Sequence, residues 1–157
     1  MFEQGAIRPP SEARSLLVRV TRNCPWNRCR ICPPFKGLKF SRRSVDEIRK
    51  DIDAMAEVYA DRRYVPTAAF LQDADSLLVP TEELLEIIRH IRSRFPTITR
   101  VTTYARAKTM KRKSIEDLKR LKEAGLTRIH SGMESGSAEV LELIQKGSTP
   151  DDILSGG

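Results

Sequence analysis

Short apolar runs alternate with longer amphipathic segments along the chain. Four runs, rich in β-branched and apolar residues, predict β-strands over residues 15–20, 67–72, 98–104 and 127–131. After each run, apolar residues recur at the three- and four-residue spacing of a helix that buries one face. Strands and helices in strict alternation predict parallel strands joined by right-handed crossovers. The expected fold class is therefore α/β.

Local signals mark the ends of the four predicted helices. A serine or threonine precedes each amphipathic segment, as expected of an N-cap that accepts a backbone hydrogen bond. The expected N-caps are Ser44, Thr81, Ser114 and Ser137. Gly125 and Gly147 are expected to end the third and fourth helices. The residues expected on the buried faces are Val45, Ile48, Ile52, Met55, Tyr59, Leu84, Ile87, Ile88, Ile91, Phe95, Ile115, Leu118, Leu121, Val140, Leu141 and Ile144.

Residues with ligand chemistry follow all four predicted strands. The strands belong either to an open doubly wound sheet or to an arc of a β/α barrel, and periodicity does not separate these closures. In both, ligands bind beyond the carboxyl ends of the strands. The residues at those ends are Cys24, Cys29, Cys32, Gln72, Asp73, Asp75, Ser76, Tyr104, Arg106, Glu134 and Ser135. A functional site built from the four strand ends is therefore expected.

The three cysteines of the chain lie within one nine-residue stretch, with four residues between Cys24 and Cys29 and two between Cys29 and Cys32. A closed structural metal site normally uses four protein ligands, so three leave one coordination position open for chemistry. An odd number of cysteines argues against a disulfide framework. A zinc site completed by His90 or His130 is the alternative, although these lie in helix-like and strand-like runs.

The composition indicates one cytoplasmic domain with a basic surface. The chain has 157 residues and a formal net charge of +7, with basic clusters at residues 42–43, 62–63 and 111–113. The surplus favours anionic partners, RNA among them, but no groove-reading motif accompanies it, and solvated helix faces explain it as well. No apolar stretch reaches the length of a membrane span, and the N-terminus lacks the apolar core of a signal peptide.

The cysteine triad after the first strand, together with Gly132-Met-Glu-Ser-Gly136 after the fourth, resembles the radical S-adenosylmethionine (radical SAM) superfamily. The common family pattern has three residues between the first two cysteines; the four found here resemble a subgroup of iron-sulfur oxidoreductases with this longer CX4CX2C spacing. The resemblance implies a partial β/α barrel, of which this chain supplies about four units. It divides the chain into an N-terminal arm, residues 1–14, and a radical SAM domain, residues 15–157.

The resemblance also implies the cofactors. A [4Fe-4S] cluster is expected on Cys24, Cys29 and Cys32, with S-adenosylmethionine (SAM) on the fourth iron. Reductive cleavage of SAM then yields a 5′-deoxyadenosyl radical that abstracts hydrogen from an unknown substrate, small or macromolecular. An electron donor such as flavodoxin or ferredoxin is the implied partner.

Further cofactor contacts follow from the same resemblance. Ile31 is expected near the adenine, Arg106 beside Tyr104 at the methionine carboxylate, and Glu134 at the ribose hydroxyls or the methionine end. The acid for the methionine ammonium is Asp73 or Asp75, within a segment that includes Gln72 and Ser76. Two structural alternatives remain open, because the aspartates are also typical of Asx turns and Ser135 or Ser137 of a helix cap.

The chain ends soon after a further helix start at residues 149–152. A sheet that stops at its fourth strand exposes an edge that complete folds usually cover. We therefore expect a C-terminally truncated or shortened chain, or a protomer that buries this edge in a partner, and weak turnover from the chain alone. The hypothesis from another class is a non-catalytic metal-binding module that binds RNA through its basic surface.

Overall fold

Four parallel strands form the central sheet of the structure, a computed structural model that describes residues 1–61 and 63–157. Arg62, part of the basic pair at 62–63, lies outside the described residues. The strands are β1 (Leu16–Arg19), β2 (Thr21–Arg22), β3 (Ser41–Arg42), β4 (Ala68–Gln72), β5 (Arg100–Tyr104) and β6 (Leu126–His130). The sheet has the order β1-β4-β5-β6, while β2 and β3 form an antiparallel hairpin. The four predicted strands are confirmed.

Six α-helices accompany the described strands. They are α1 (Val45–Ala60), α2 (Thr81–Arg94), α3 (Ala107–Arg112), α4 (Ile115–Ala124), α5 (Ala138–Leu143) and α6 (Pro150–Gly156). The four predicted helices correspond to α1, α2, α4 and α5, and α6 begins at the further predicted helix start. The short helix α3 was not predicted. Among the described residues, no helix combines the length and hydropathy of a membrane span.

The main hydrophobic core lies on one face of the sheet. Ala69 and Leu71 of β4 and Val101 of β5 point into it, where buried residues of α1, α2 and α4 cover them. Neighbouring strands also follow one another in chain order, with no reversal of direction across the sheet. This arrangement is an arc of a β/α barrel rather than a doubly wound sheet, which carries helices on both faces.

The N-terminal arm covers part of the opposite face of the sheet. The amide of Gly5 donates to Oε1 of Gln72, and Nε2 of Gln72 donates in turn to the carbonyl oxygens of Gly5 and Ile7. Farther along the arm, Glu12 is fully buried and its Oε2 lies 3.4 Å from Nη2 of Arg100 on β5. These polar contacts attach the arm to β4 and β5.

A register shift between β5 and β6 decides which side chains of β6 face this second side. The shift follows the pair Val101–Leu126, so that Leu126 and Ile129 both contact the helical core although they are three positions apart. His130 then pairs with Tyr104 and faces the arm. Strict alternation from Leu126 would have placed it on the helical side, so the bulge re-aims this histidine.

Most predicted helix ends are confirmed. Ser44, Ser114 and Ser137 each accept a backbone hydrogen bond at N3. Thr81 as the cap of α2 was wrong, because Pro80 is the N-cap and Nζ of Lys113 donates to the Thr81 hydroxyl at 3.1 Å. The fourth helix ends at residue 143 instead of continuing to residue 147.

Two residues predicted on buried faces are exposed. Ile115 has 74% of its surface accessible and Val140 has 40%. Ile115 occupies the first turn of α4, whose main contacts are with α2 and β6. Leu121, one turn from the other end of the same helix, is fully buried. Periodicity identified the apolar stripe of α4, but the neighbouring elements cover only its C-terminal part.

Ile52 and Ile115 offer a matched test of the core. Ile52 is fully buried in α1, so we expect Ile52→Ala to lower the free energy of unfolding by about 2–5 kcal/mol through lost burial and an unfilled cavity. Ile115→Ala should change it by less than about 0.5 kcal/mol. Urea unfolding measures both, and equal losses would contradict the assigned core.

Candidate functional site

A cavity of about 320 Å³ opens at the carboxyl ends of the parallel strands. It brings together residues from all four strand ends. The predicted site residues in its lining are Cys24, Cys29, Ile31, Cys32, Tyr104, Arg106 and Glu134. His130, named above only as an alternative zinc ligand, and Gly132 of the glycine-containing motif also line it. The lining residues that the sequence did not indicate are Ile7, Phe35, Ala74, Ala105 and Lys146. Gln72, Asp73, Asp75, Ser76 and Ser135 are not part of this lining.

The three thiols are free and half-buried. Burial raises the pKa of the Cys32 thiol, and the neighbouring Cys24 and Cys29 raise it further, while the Lys146 ammonium acts in the opposite direction. Neighbouring thiolates repel one another, so a cationic metal centre between them would stabilise all three. Three soft sulfur ligands on one cavity fit an iron-sulfur cluster with an open coordination position.

A site for a single metal ion is not found in the described part of the chain. There, no three His, Cys, Asp or Glu side chains are arranged to hold one. Of the two histidines proposed to complete a zinc site, His90 has Nε2 at 2.9 Å from Oδ1 of Asp53 on α1. His130 lines the cavity, with its Nε2 turned towards Glu12.

Two asparagines shape the loop that carries the cysteines, residues 23–40 between β2 and β3. Asn23 and Asn27 both have positive φ, 66° and 46°, a conformation that asparagine adopts more readily than most residues. Nδ2 of Asn23 donates to the carbonyl of Lys39, and Nδ2 of Asn27 donates to that of Leu38. These bonds join the two limbs of the loop and hold Cys24 between them.

The loop is also clamped by the segment between α5 and α6. The indole Nε1 of Trp26 donates to the carbonyl of Gln145 at 2.7 Å, and the amide of Arg30 donates to that of Ile144 at 2.8 Å. The Trp26 ring packs against Gly147, where a Cβ atom would lie 2.3 Å from Cε2 of the ring. Only glycine allows this approach, and its φ of +70° also favours glycine.

Asp73 and Gln72 are held by other parts of the protein. The Asp73 carboxylate is fully buried, lies 2.7 Å from Nη2 of Arg19, and accepts from the amide of Asn23. Its Oδ1 has no hydrogen-bond partner among the described residues and faces Gly5 of the arm. Gln72 is occupied by the arm, as described above. Both side chains therefore connect strands and arm rather than face the cavity.

Asp75 lies on the other side of Ala74 and faces α3. Its Oδ1 accepts from the amide of Arg106 at 3.2 Å, and its Oδ2 accepts from the Thr109 hydroxyl at 2.6 Å. Burial raises the pKa of the Asp75 carboxyl, and these two hydrogen bonds partly offset the increase because they favour the charged form. Ser76 is buried as well and donates to the carbonyl of Leu71.

Arg106 joins the cavity to the Trp26 contact. Its guanidinium lies 5.1 Å from the centre of the Trp26 ring and donates to the carbonyls of Lys146 and Gly147, each at 3.4 Å. Tyr104, at the end of the same strand, lines the cavity, and burial followed by the nearby Glu12 charge raises the pKa of its phenol. Arg106 is thus preorganised by three contacts within the protein.

Glu134 is paired with a lysine that the sequence did not indicate. Its Oε1 lies 2.8 Å from Nζ of Lys146, and both residues line the cavity. The side chain folds back over Gly132, where a Cβ would lie 2.5 Å from Oε1. Ser135 accepts from the amide of Ser137 through its hydroxyl, and Ser137 caps α5, so the serines support the turn and the helix start.

The sequence missed a buried pair behind the cavity. Oε1 of Glu12 and Nε2 of His130 lie 3.5 Å apart, and neither atom has a hydrogen-bond partner among the described residues. The His130 ring contacts Tyr104 and Phe70 edge-on, with centroids 5.9 and 6.3 Å away. In the sequence, Glu12 is an acidic residue in a loop-like arm, and nothing near it in the chain indicates burial. Its partner His130 lies 118 positions later.

Comparison with known proteins gives a family and a set of similar folds. The family model for the radical SAM superfamily matches residues 18–156. The chain is similar to the cobalamin-dependent S-adenosylmethionine radical enzyme OxsB with aqua-cobalamin and S-adenosylmethionine bound, at 24% identity and a TM-score of 0.68. For OxsB with aqua-cobalamin alone, the values are 23% and 0.67. The comparison with curated proteins found no match.

The matches cover most of this chain but a small part of OxsB. The two alignments cover 89% and 88% of this chain, but 21% of the OxsB chain in each case. The chain therefore spans only a fraction of that enzyme's length. At this level of identity, the similarity establishes the shared fold.

Replacing Gly147 tests the clamp. Gly147→Ala places a Cβ inside the Trp26 ring and strains a positive φ, so we expect the indole to leave its contact with Gln145. The expected result is a red shift of tryptophan emission and stronger quenching by acrylamide, read without ambiguity because Trp26 is the only tryptophan. Gly136→Ala is the control, since none of the described neighbours comes within 4 Å of the position that its new Cβ would take. Unchanged emission in Gly147→Ala would contradict the contact.

The Asp75–Thr109 hydrogen bond predicts a pH-dependent loss. Thr109→Val removes the donor to Asp75, which raises an already raised folded-state pKa further. The stability that Thr109→Val loses through Asp75 is absent where the carboxyl is protonated in both states, below the unfolded pKa of about 3.9. It is complete where the carboxyl is ionised in both folded proteins, above the raised folded-state pKa of the variant. We expect a loss of about 1–3 kcal/mol at pH 8 and a smaller one at pH 3.5, measured by urea unfolding.

Thr127→Val is the matched control for this experiment, because Thr127 is exposed. The change in the free energy of unfolding that Thr127→Val causes should be the same at the two pH values. An equal loss at both pH values in Thr109→Val would show that Asp75 does not respond to this hydroxyl.

Proposed function

Because the chain belongs to the radical SAM superfamily, we propose that its cavity binds a [4Fe-4S] cluster through Cys24, Cys29 and Cys32 and binds SAM beside it. The observation that carries the proposal is that all three thiols line one cavity together with four residues predicted to contact SAM. When bound, the two groups supply reductive cleavage of SAM to a 5′-deoxyadenosyl radical, which abstracts a hydrogen atom from a substrate.

The charged residues of the lining suit the charged groups of SAM. In the proposal, Arg106 binds the methionine carboxylate, for which its guanidinium offers two parallel donors. Glu134 accepts from the ribose hydroxyls or the methionine ammonium, and Lys146 orients this carboxylate through a contact of 2.8 Å. Ile31 packs near the adenine, and Tyr104 borders the same space.

Asp73 and Asp75 remain the proposed acids for the methionine ammonium, provided that one of them leaves its present partner. Each carboxylate already has partners within the protein, Arg19 for Asp73 and Thr109 for Asp75. Either acid must therefore exchange a partner to reach SAM, while Ala74 between them already lines the cavity. We propose that this segment contacts SAM first through Ala74.

Apolar residues exclude water from the proposed cluster site. Phe35 is buried beside the cysteines, and Ile7 of the arm reaches the same cavity. A dry surrounding strengthens each electrostatic contact and protects a radical from side reactions. The arm would therefore contribute to the site as well as to the fold.

Cluster binding is the direct test of this function. Anaerobic reconstitution with iron and sulfide should load about four irons per chain, and dithionite with SAM should then yield 5′-deoxyadenosine and methionine. Cys29→Ser should lose the cluster and the products because it removes one of three ligands. Circular dichroism of the apoprotein serves as the control that this variant folds.

Two outcomes would overturn the proposal. One is an apoprotein that takes up a single zinc ion and no iron. The other is tight, salt-sensitive RNA binding that survives loss of all three cysteines, with no cleavage of SAM under dithionite. The second result would favour the alternative of a non-catalytic RNA-binding module.

A further inference from the structure

Buried polar atoms without a hydrogen-bond partner gather along the N-terminal arm. In the described part of the chain, every such side-chain atom belongs to the arm or to a residue that contacts it. A buried polar group that stays unpaired costs free energy, so each of these atoms calls for an explanation. The atoms are Oε1 of Glu12, Nε of Arg43, Oδ1 of Asp73, Nε of Arg100 and Nε2 of His130.

One of these residues also borders the cavity. His130 lines it, whereas Glu12, Arg43, Asp73 and Arg100 do not. Nε2 of His130 is buried and faces Glu12, yet 21% of the side chain is accessible. The accessible part of the side chain therefore does not include Nε2. One nitrogen of the ring faces the arm, and the rest of the ring borders the cavity.

Glu12 has one oxygen left for this ring. Its Oε2 accepts from the Ser15 hydroxyl and lies 3.4 Å from Nη2 of Arg100. Its Oε1, which has no hydrogen-bond partner among the described residues, lies 3.5 Å from Nε2 of His130. An ionised carboxylate only accepts hydrogen bonds, so the nitrogen that faces it carries the proton. In a neutral imidazole, the other nitrogen, Nδ1, is then a hydrogen-bond acceptor.

Aromatic contacts hold the ring in this orientation. Tyr104 and Phe70 both meet it edge-on, at an interplanar angle of 66°. His130 is the last residue of β6, whereas the cysteines, Arg106 and Glu134 belong to segments that follow strands. The ring of His130 therefore belongs to the sheet itself, while the groups proposed to hold the cluster and the charged ends of SAM are carried by the loops. A substrate that lies between the loops and the sheet would meet His130.

We propose that His130 accepts a hydrogen bond from a hydroxyl or amino group of the substrate, and that Glu12 is the positioning residue that keeps the ring proton on Nε2. The inference rests on the proposed function, because it concerns the substrate from which hydrogen is abstracted. An unprotonated Nδ1 pairs with a donor and not with a carboxylate, which only accepts. The substrate class is therefore an alcohol or an amine.

Nitrogen NMR of the apoprotein tests the position of the ring proton without any cluster. The chain has two histidines, His90 and His130, so their ring signals are readily assigned. At pH 8, above the ordinary imidazole pKa of about 6.5, we expect His130 to show a protonated Nε2 and an unprotonated Nδ1. Glu12→Leu should shift these signals towards a mixture of the two tautomers. Glu12→Gln should keep the wild-type pattern, because the amide oxygen still accepts from Nε2.

Asp53→Ala is the matched control for the NMR experiment. Oδ1 of Asp53 lies 2.9 Å from Nε2 of His90, so this change should alter the His90 signals and leave those of His130 as they are. A proton on Nδ1 of His130 in the wild type, or an unchanged His130 pattern in Glu12→Leu, would overturn the role of Glu12. The wild-type measurement needs no variant, so the test holds even if Glu12→Leu does not fold.

Deuterium transfer in reconstituted protein tests the substrate class. The probe is perdeuterated glycerol, an alcohol that is small compared with the cavity of about 320 Å³. A carbon–deuterium bond of glycerol breaks, the deuterium atom joins the 5′ carbon of the deoxyadenosyl radical, and the unpaired electron stays on the glycerol carbon. We expect His130→Phe to lower the deuterium content of 5′-deoxyadenosine about tenfold, through one lost hydrogen bond. His90→Phe, the matched control, should leave it unchanged.

Several outcomes would overturn the assignment of His130 to the substrate. One is deuterium transfer from glycerol that is equal in the wild type and His130→Phe, or absent from both while SAM is cleaved. Another is a loss of iron or of SAM affinity in His130→Phe, because the ring would then belong to the cofactor site. Equal transfer from perdeuterated acetate would contradict selection for a donor. If the wild type cleaves no SAM with dithionite, the proposed function fails, and the NMR pattern still decides whether Glu12 positions His130.

Discussion

The site depends on one contact between the two ends of the arc. The cysteine loop follows β2, close to the edge strand β1, whereas Gly147 lies beyond β6 at the opposite edge of the sheet. Packing of the Trp26 ring on Gly147, together with the bond from its indole to Gln145, joins these ends across the strand termini. The same contact places Arg106 and Lys146 beside the thiols. Without it, the cavity would lose a wall, because only this contact and the amide bond from Arg30 to Ile144 hold the loop against the segment beyond β6 among the contacts described above.

Two buried carboxylates, Asp73 and Asp75, position the segment that follows β4 and borders this cavity. Asp73 connects β4 to Arg19 of β1, and Asp75 connects it to Thr109 of α3. Buried charges are stable only when they are paired or fully hydrogen-bonded, so each aspartate ties its segment to a specific neighbour. Ala74, held between them, is the residue that reaches the cavity. Two acids that resemble ligands by position in the chain are thus engaged in supporting the site.

Much of the fold was predictable because it rests on local physics. The four sheet strands follow from apolar runs, and three of four helix caps follow from serine hydroxyls that accept backbone bonds. The errors share a cause, which is dependence on a neighbour. Thr81 lost its capping role to a contact with Lys113, and Ile115 is exposed because neighbouring elements cover only part of α4. The side that His130 faces depends on a bulge that periodicity does not encode.

The sequence by itself determined the class of the fold, the family resemblance and the three thiols, since these depend on residue type and on spacing within a few positions. Only the tertiary structure decided which polar residues reach the cavity. It brought Lys146 and His130 to the cavity that the thiols line, and it assigned Asp73 and Asp75 to contacts elsewhere. The physical reason is competition: a charged side chain takes the partner that best satisfies it after burial, and that partner often lies tens of residues away, as Arg19 does from Asp73.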